Sequence, residues 1–315
     1  MSRAKPRNIA ESVRQRLLNL ARNQGQIFDL ILNRYVVERL LYRISVSGFK
    51  DRFLLKGATL YSLWYEQPLR ATRDLDLLGY GSVEVETVLE MFRSIVTMPS
   101  VDGGVRFDPD ALRGREIRLE GEYHGVRLNV AANLAQARIG LQVDIGFGDV
   151  VMPAPETVMY PTLLDFPAPE LKAYPRYSVV AEKFESVVKL GLSNTRMKDF
   201  FDLWVMCRSM TFEGDILAVA LAATFERRRT PLPVEAPLGL SDSFGMEPVK
   251  QTQWAAFLQK NRLTVETANL STVITDLNHF LMPAAIAVVN EEPFEYRWSK
   301  GGPWVNRQEE GNRRA

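Results

Sequence analysis

Two periods of apolar residues divide the chain. Over residues 8–47 the spacing is helical: Val13, Leu17 and Leu18 recur at short intervals, Gly25 interrupts them, and Phe28, Leu32, Tyr35, Val36 and Leu40 resume. Such intervals line one helical face, so two helices are predicted. Residues 82–97 repeat the pattern with Val85, Val88, Leu89, Phe92, Ile95 and Val96, and read as an amphipathic helix packed on a sheet. Elsewhere the period falls to two. Leu75 and Leu77 alternate with Asp74 and Asp76; Ile117 and Leu119 lead through a glycine turn to Val126, Leu128 and Val130. Leu141, Val143, Ile145 and Phe147 alternate with Gln142, Asp144, Gly146 and Gly148. Alternation marks strands with one buried face. Successive short strands predict a hairpin over 115–134, antiparallel pairing, and a mixed sheet that includes the strand at 74–78.

Six prolines between 153 and 175 read as a crossover. Helices are expected beyond it: one over 179–190, with Ser178 as N-cap and Glu182 near the capping-box position, and one from about 197. An apolar helix over 216–225 ends in Arg227, Arg228 and Arg229, which serve either as C-terminal cations or as an RNA contact. Another spans 273–289, bent or split by Pro283. The end of the chain, from Gln308, is expected to be disordered. The expected fold is α/β of the α+β kind: a mixed-sheet lobe over residues 1–165 and a mainly helical lobe over 166–315.

Composition narrows the chemistry. A net charge of +1 gives no global pull on nucleic acid, so any such binding needs a local patch. Arg14, Arg16, Arg39 and Arg43 could form one, although a solvated helix surface with local pairing is the simpler reading. One cysteine excludes an internal disulfide, and two distant histidines give no basis for a zinc site or a Ser/His triad. No apolar run approaches the ~20 residues of a membrane span, and the basic start lacks a signal peptide's apolar core. No membrane partner and a cytoplasmic location are expected.

The chemistry concentrates in Lys56-Gly57-Ala58-Thr59-Leu60 and Arg73-Asp74-Leu75-Asp76-Leu77. On a strand Asp74 and Asp76 point the same way while Leu75 and Leu77 enter the core. Two carboxylates that close repel by ~4 kcal/mol at an intermediate dielectric. Mg²⁺, which is usually held by one or two carboxylates plus substrate phosphates, removes that cost. Gly57 permits close backbone approach to a phosphate, Thr59 offers a hydroxyl and Lys56 a charge. Asp108-Pro109-Asp110 has the same carboxylate spacing without apolar alternation, and reads as a turn. Asp144 supplies a third carboxylate on a neighbouring strand, and three such aspartates can hold two metal ions for in-line displacement at phosphorus.

This pattern resembles the nucleotidyltransferase superfamily related to DNA polymerase beta, and more closely the AbiEii/AbiGii toxin family. The resemblance extends to Val143-Asp144-Ile145, Ala181-Glu182-Lys183-Phe184 and Arg196-Met197-Lys198-Asp199-Phe200-Phe201-Asp202-Leu203. One departure is Ala58, where the family usually has a second glycine. The resemblance implies a toxin restrained by a cognate antitoxin, transferring a nucleotide from a nucleoside triphosphate with two Mg²⁺, or Mn²⁺, to an acceptor hydroxyl; a tRNA 3′ end is favoured. It assigns Asp74, Asp76 and Asp144 to the metals. Catalysis falls to these with Lys183 and Asp202. Nucleotide contacts fall to Lys56, Gly57, Ala58, Thr59, Arg73, Lys198 and Asp199, with the helical lobe closing the cleft. Modification of a protein hydroxyl, a non-catalytic nucleotide-binding module and a metal nuclease stay open as rivals.

Overall fold

The computed structural model describes residues 8–66, 70, 72–101, 103–119, 123–263 and 269–308. The basic start, Ala71, the hairpin tip at 120–122 and the tail beyond Gln308 lie outside the described residues. The chain divides into two compact units, Met1–Gly148 with Glu156–Tyr174, and Asp149–Pro155 with Pro175–Ala315.

The first unit opens with helices α1 (Ile9–Asn23) and α2 (Phe28–Val46), as the periodicity predicts. There follow β1 (Phe53–Lys56), a single-turn helix α3 (Tyr61–Trp64), β2 (Asp74–Gly79) and α4 (Val85–Thr97). Three long strands come next, β3 (Val105–Leu119), β4 (Tyr123–Leu134) and β5 (Ala137–Phe147), then β6 (Glu156–Met159) and β7 (Glu170–Ala173). All seven form one sheet in the order β3-β4-β5-β2-β1-β7-β6. It is mixed: β2 runs parallel to β5 and β1 parallel to β7, while the other pairs are antiparallel. The proline-rich stretch read as a crossover thus contributes two strands to this sheet.

One sheet face is apolar. Leu75, Leu77, Val126, Leu128, Val143 and Ile145 are buried on it, each contributing ~2 kcal/mol of transfer free energy. Helix α4 covers part of it, closely enough that a Cβ on Gly114 would touch Leu89, Val85 and Leu128. Asp108-Pro109-Asp110, expected as a turn, lies inside β3 instead. The ladder with β4 slips between Asp108 and Arg113, and the Asp108 carboxylate accepts from the amides of Asp110 and Ala111. A bulge with its own side-chain acceptor lets the strand continue past a proline.

Arg39 and Arg43 are buried rather than on a solvated surface, although Arg39 does pair locally, with Glu38. Arg43 donates to the carbonyls of Ile95, Val96 and Met98, taking up acceptors left open at the end of α4. Arg39 pairs with Glu38 at 2.7 Å, donates to the Pro167 carbonyl, and stacks over Tyr42 and Phe166. The second oxygen of Glu38 accepts from the Leu163 amide at 2.7 Å. Burial raises the Glu38 carboxyl to about 7, against the opposing pull of that amide and Arg39. Because the folded value exceeds the ordinary 4.5, this group favours folding most below 4.5 and progressively less as pH rises through about 7. Between pH 5 and pH 8 the parent should therefore lose more stability than Glu38→Gln, in which this group cannot titrate, and equal pH slopes of the two in thermal melts would contradict the assignment.

The second unit contains α5 (Arg176–Leu190), α6 (Met197–Ser209), β8 (Phe212–Glu213), α7 (Gly214–Arg227), α8 (Asp242–Met246), α9 (Pro248–Lys260), α10 (Leu270–Val289), β9 (Tyr296–Trp298) and β10 (Trp304–Asn306). The three strands form a small separate sheet. Ser178 is not the N-cap: the helix begins two residues earlier, after Pro175, and the Ser178 hydroxyl bridges the Met152 amide and carbonyl. Pro175 presets the extended backbone that starts the helix.

Helix α10 is one continuous 20-residue helix with Pro283 inside it. By length and composition alone it could cross a membrane, which the run-length reading did not anticipate. Half of its apolar window is buried within the unit, where Leu277, Phe280 and Leu281 are fully covered, as in a core helix. Arg228, in the cationic run after α7, is also buried rather than solvent-facing; it reaches Glu185 at 2.9 Å and Asp149 at 3.3 Å.

Candidate active site

Sheet register assembles the first cluster. Asp76 pairs with Asp144 across the parallel β2–β5 ladder, and Asp74 with Gln142. On the far side of β2, Asp76 pairs with Lys56 of β1; on the far side of β5, Asp144 pairs with Arg127 of β4. Paired residues on adjacent strands share a face about 4.8 Å apart. Lys56, Asp76, Asp144 and Arg127 therefore form one row across four strands, on the face opposite the buried leucines. The expectation that all three aspartates share one side of the sheet agrees with this register.

Gly57 follows the row at φ 71°, in the left-handed region. A Cβ there would collide with the Asp76 carboxylate, so the glycine is required both by backbone and by space. Beyond it the chain makes a 3-10 turn over Gly57–Leu60 and then the short helix α3. Thr59 is buried and Ala58 half-buried. The Lys56 ammonium sits 5.1 Å from the Tyr174 ring centroid. Arg73, just before β2, is exposed.

Arg127 carries a role the sequence did not reveal. Its Nε and Nη2 each donate to one Asp144 oxygen at 2.7 Å, a bidentate pair. The Asp144 bond holds the guanidinium above its ordinary range, partly opposed by burial, and the charges of Asp144, Asp74 and Asp76 add to the effect. Gln142 also donates to Asp144, at 3.3 Å. The polar face of the hairpin was legible from Val126 and Leu128, but only register places Arg127 opposite Asp144.

Metal binding can be tested against this geometry. Among the described residues, no group of three or more His, Cys, Asp and Glu side chains is close enough to hold an ion on protein ligands alone. Asp74 and Asp76 suit Mg²⁺ as a two-carboxylate donor pair completed by substrate phosphate and water. Asp144 stands beside them but is engaged by Arg127.

A second cluster lies in the helical unit. Lys183 of α5 pairs with Asp199 at 2.6 Å and Asp202 at 2.9 Å, both on α6. Arg196 adds a contact to the other Asp199 oxygen at 2.6 Å. The two aspartates are fully buried and Lys183 nearly so. Burial pushes the Asp199 carboxyl up, and Lys183 and Arg196 more than reverse this, leaving it below its ordinary value. Lys198, expected on the side of Asp202, is exposed.

Comparison with known proteins gives a family match. The model described as nucleotidyl transferase AbiEii toxin, type IV TA system, matches residues 39–276. No curated protein matches the chain. Among solved structures, JHP933 from Helicobacter pylori aligns with 12% identity and a TM-score of 0.46, covering 83% of this chain and 92% of that one. A second H. pylori chain, described as a candidate nucleotidyltransferase, aligns with 13% identity and a TM-score of 0.46, covering 83% and 95%.

Proposed function

This chain belongs to the AbiEii nucleotidyl transferase toxin family, and from that premise we propose that it transfers a nucleoside monophosphate from a triphosphate to the 3′ hydroxyl of tRNA, with Mg²⁺ at Asp74 and Asp76. The family makes it a nucleotidyltransferase of a type IV toxin–antitoxin system, with a triphosphate substrate and an antitoxin partner. The observation that carries the finer reading is the cross-strand row in which Asp76 lies between Lys56 and Asp144.

Mg²⁺, when bound, neutralises the triphosphate and favours attack at the α-phosphorus. Asp74 and Asp76, on the open face of β2, would hold it. Gly57 leaves Asp76 room to keep that orientation, and Lys56 places a positive charge on the strand beside it. Asp144 is the nearest further carboxylate. Paired now with Arg127, it is the side chain placed to take the proton of the incoming hydroxyl. Attack forms the new phosphodiester and expels pyrophosphate. Lys183 and Asp202 lie with Asp199 in one buried charged cluster within the second unit, and their assignment to catalysis rests on the family resemblance alone. Lys198 and Arg73, both exposed, are the nucleotide contacts with least structural support.

Purified protein should be incubated with Mg²⁺, total RNA and labelled triphosphates offered one at a time. Label should enter a tRNA-sized band that grows longer and is destroyed by RNase. Label sensitive to protease alone would replace tRNA by a protein acceptor, and a shortened band would indicate a nuclease.

A further inference from the structure

The row through Asp144 continues into a larger surface. On β3, Arg115 pairs with Arg127, Arg113 with Asn129, and Arg106 with Asn133. Asn133 in turn faces Arg138 on β5. By the same register argument all of these point to the face that carries Asp74 and Asp76. Arg106, Arg113, Arg115 and Arg138 are exposed. Arg106, Arg115 and Arg138 have no carboxylate partner among the described residues, whereas Arg113 is fixed over the bulge by the Asp110 and Leu112 carbonyls. The Asp108 carboxylate shares this face, and its Oδ1 is taken by the bulge amides. Between the arginines the floor is small: Ala131 and Gly140 face each other. A depression of about 400 Å³ opens there, lined by Asn129, Arg138, Gly140 and Gln142 among others.

We propose that this polar face of β3, β4 and β5 is the docking surface for the phosphodiester backbone of an RNA strand, leading its end to the aspartates. Charge selects the occupant. The whole chain carries only +1, yet several unpaired guanidiniums gather on one sheet face that runs directly into the aspartate row. Guanidinium matches phosphate geometry, and Asn129, Asn133 and Gln142 can hydrogen-bond to sugar or base. The small residues let a strand lie flat on the sheet. The inference rests on the reading that Asp74 and Asp76 mark the reacting centre, but it concerns binding and is tested by binding.

The test uses full-length protein, fluorescein-labelled bulk tRNA and an oligouridylate, with anisotropy read at several salt concentrations and no triphosphate present. The parent should bind both, more weakly as salt rises. The triple variant R106E/R115E/R138E, with an unchanged thermal melt, should bind about tenfold or more weakly, and its log–log salt slope should fall by about 2. R106Q/R115Q/R138Q should lie between. Loss of binding in the triple variant, even from a protein that labels no RNA, supports the surface and leaves the transfer reading to fail alone. Equal binding by parent and triple variant overturns the surface while leaving transfer intact. A parent that binds polyglutamate but neither RNA overturns it as well.

Discussion

Replacing Asp76 by Asn should lower nucleotidyl transfer about 10³-fold or more, which corresponds to ~4 kcal/mol of transition-state stabilisation. The side chain keeps its shape, so the change removes charge and little else. Asp76 is the member of the cross-strand row with a carboxylate strand on one side and a lysine strand on the other. It is also the side chain against which Gly57 packs so closely that any larger residue there would displace it. Folding should not suffer. A thermal melt of the variant beside the parent separates lost transfer from lost folding. Asp110→Asn is the matched control: it belongs to the other closely spaced aspartate pair, is exposed, and lies in the bulge of β3. Its transfer rate should equal the parent's. Retention of more than about a tenth of parental activity in Asp76→Asn would remove the row from the mechanism.

Period-two alternation placed the strands that matter most, because burial on one face is a local property of the sequence. Leu75 and Leu77 reported which way Asp74 and Asp76 had to point, and Val143 and Ile145 did so for Asp144. Which strands become neighbours is not local. The parallel pairing of β2 with β5 skips two long strands in the chain, and nothing in either segment announces Asp76 opposite Asp144. Arg127 was missed for this reason: on an isolated strand it is one more polar residue. Arg39 and Arg43 were misjudged differently. Charge suggested surface, but Arg43 finds three carbonyls at the end of α4, and Arg39 finds Glu38, a carbonyl and two rings. The carbonyls that Arg43 and Arg39 reach lie tens of residues away, so neither burial could be read locally. The bulge at Asp108 shows the limit of turn signals, since a proline and two aspartates can be absorbed within a strand.

Lys183→Met should cost about 3–5 kcal/mol of stability in the helical unit at neutral pH, the range for removing one partner of a buried ion pair. Methionine can keep most of the stem's packing, so the loss measures charge. Asp199 and Asp202 are both fully buried, and Lys183 reaches the two of them at once. Arg196 reaches Asp199 at 2.6 Å. The pH dependence identifies the cause. In the parent, Asp199 has a folded value below the ordinary 3.8, so it supports folding above that pH and loses this contribution as pH falls through its folded value. Without Lys183 the same carboxylates sit in a low-dielectric interior with too little positive charge, and protonation relieves them. The gap between variant and parent should therefore be widest near neutrality and shrink as pH falls toward 4. Adding Asp202→Asn to Lys183→Met should restore part of the stability, because one lysine and one carboxylate are then removed together and Arg196 still faces Asp199. A double-mutant cycle in thermal or urea melts reads this coupling directly. If the single variant loses less than about 1 kcal/mol, or its deficit is the same at pH 4 and pH 7, the cluster is not the electrostatic clamp that its geometry describes.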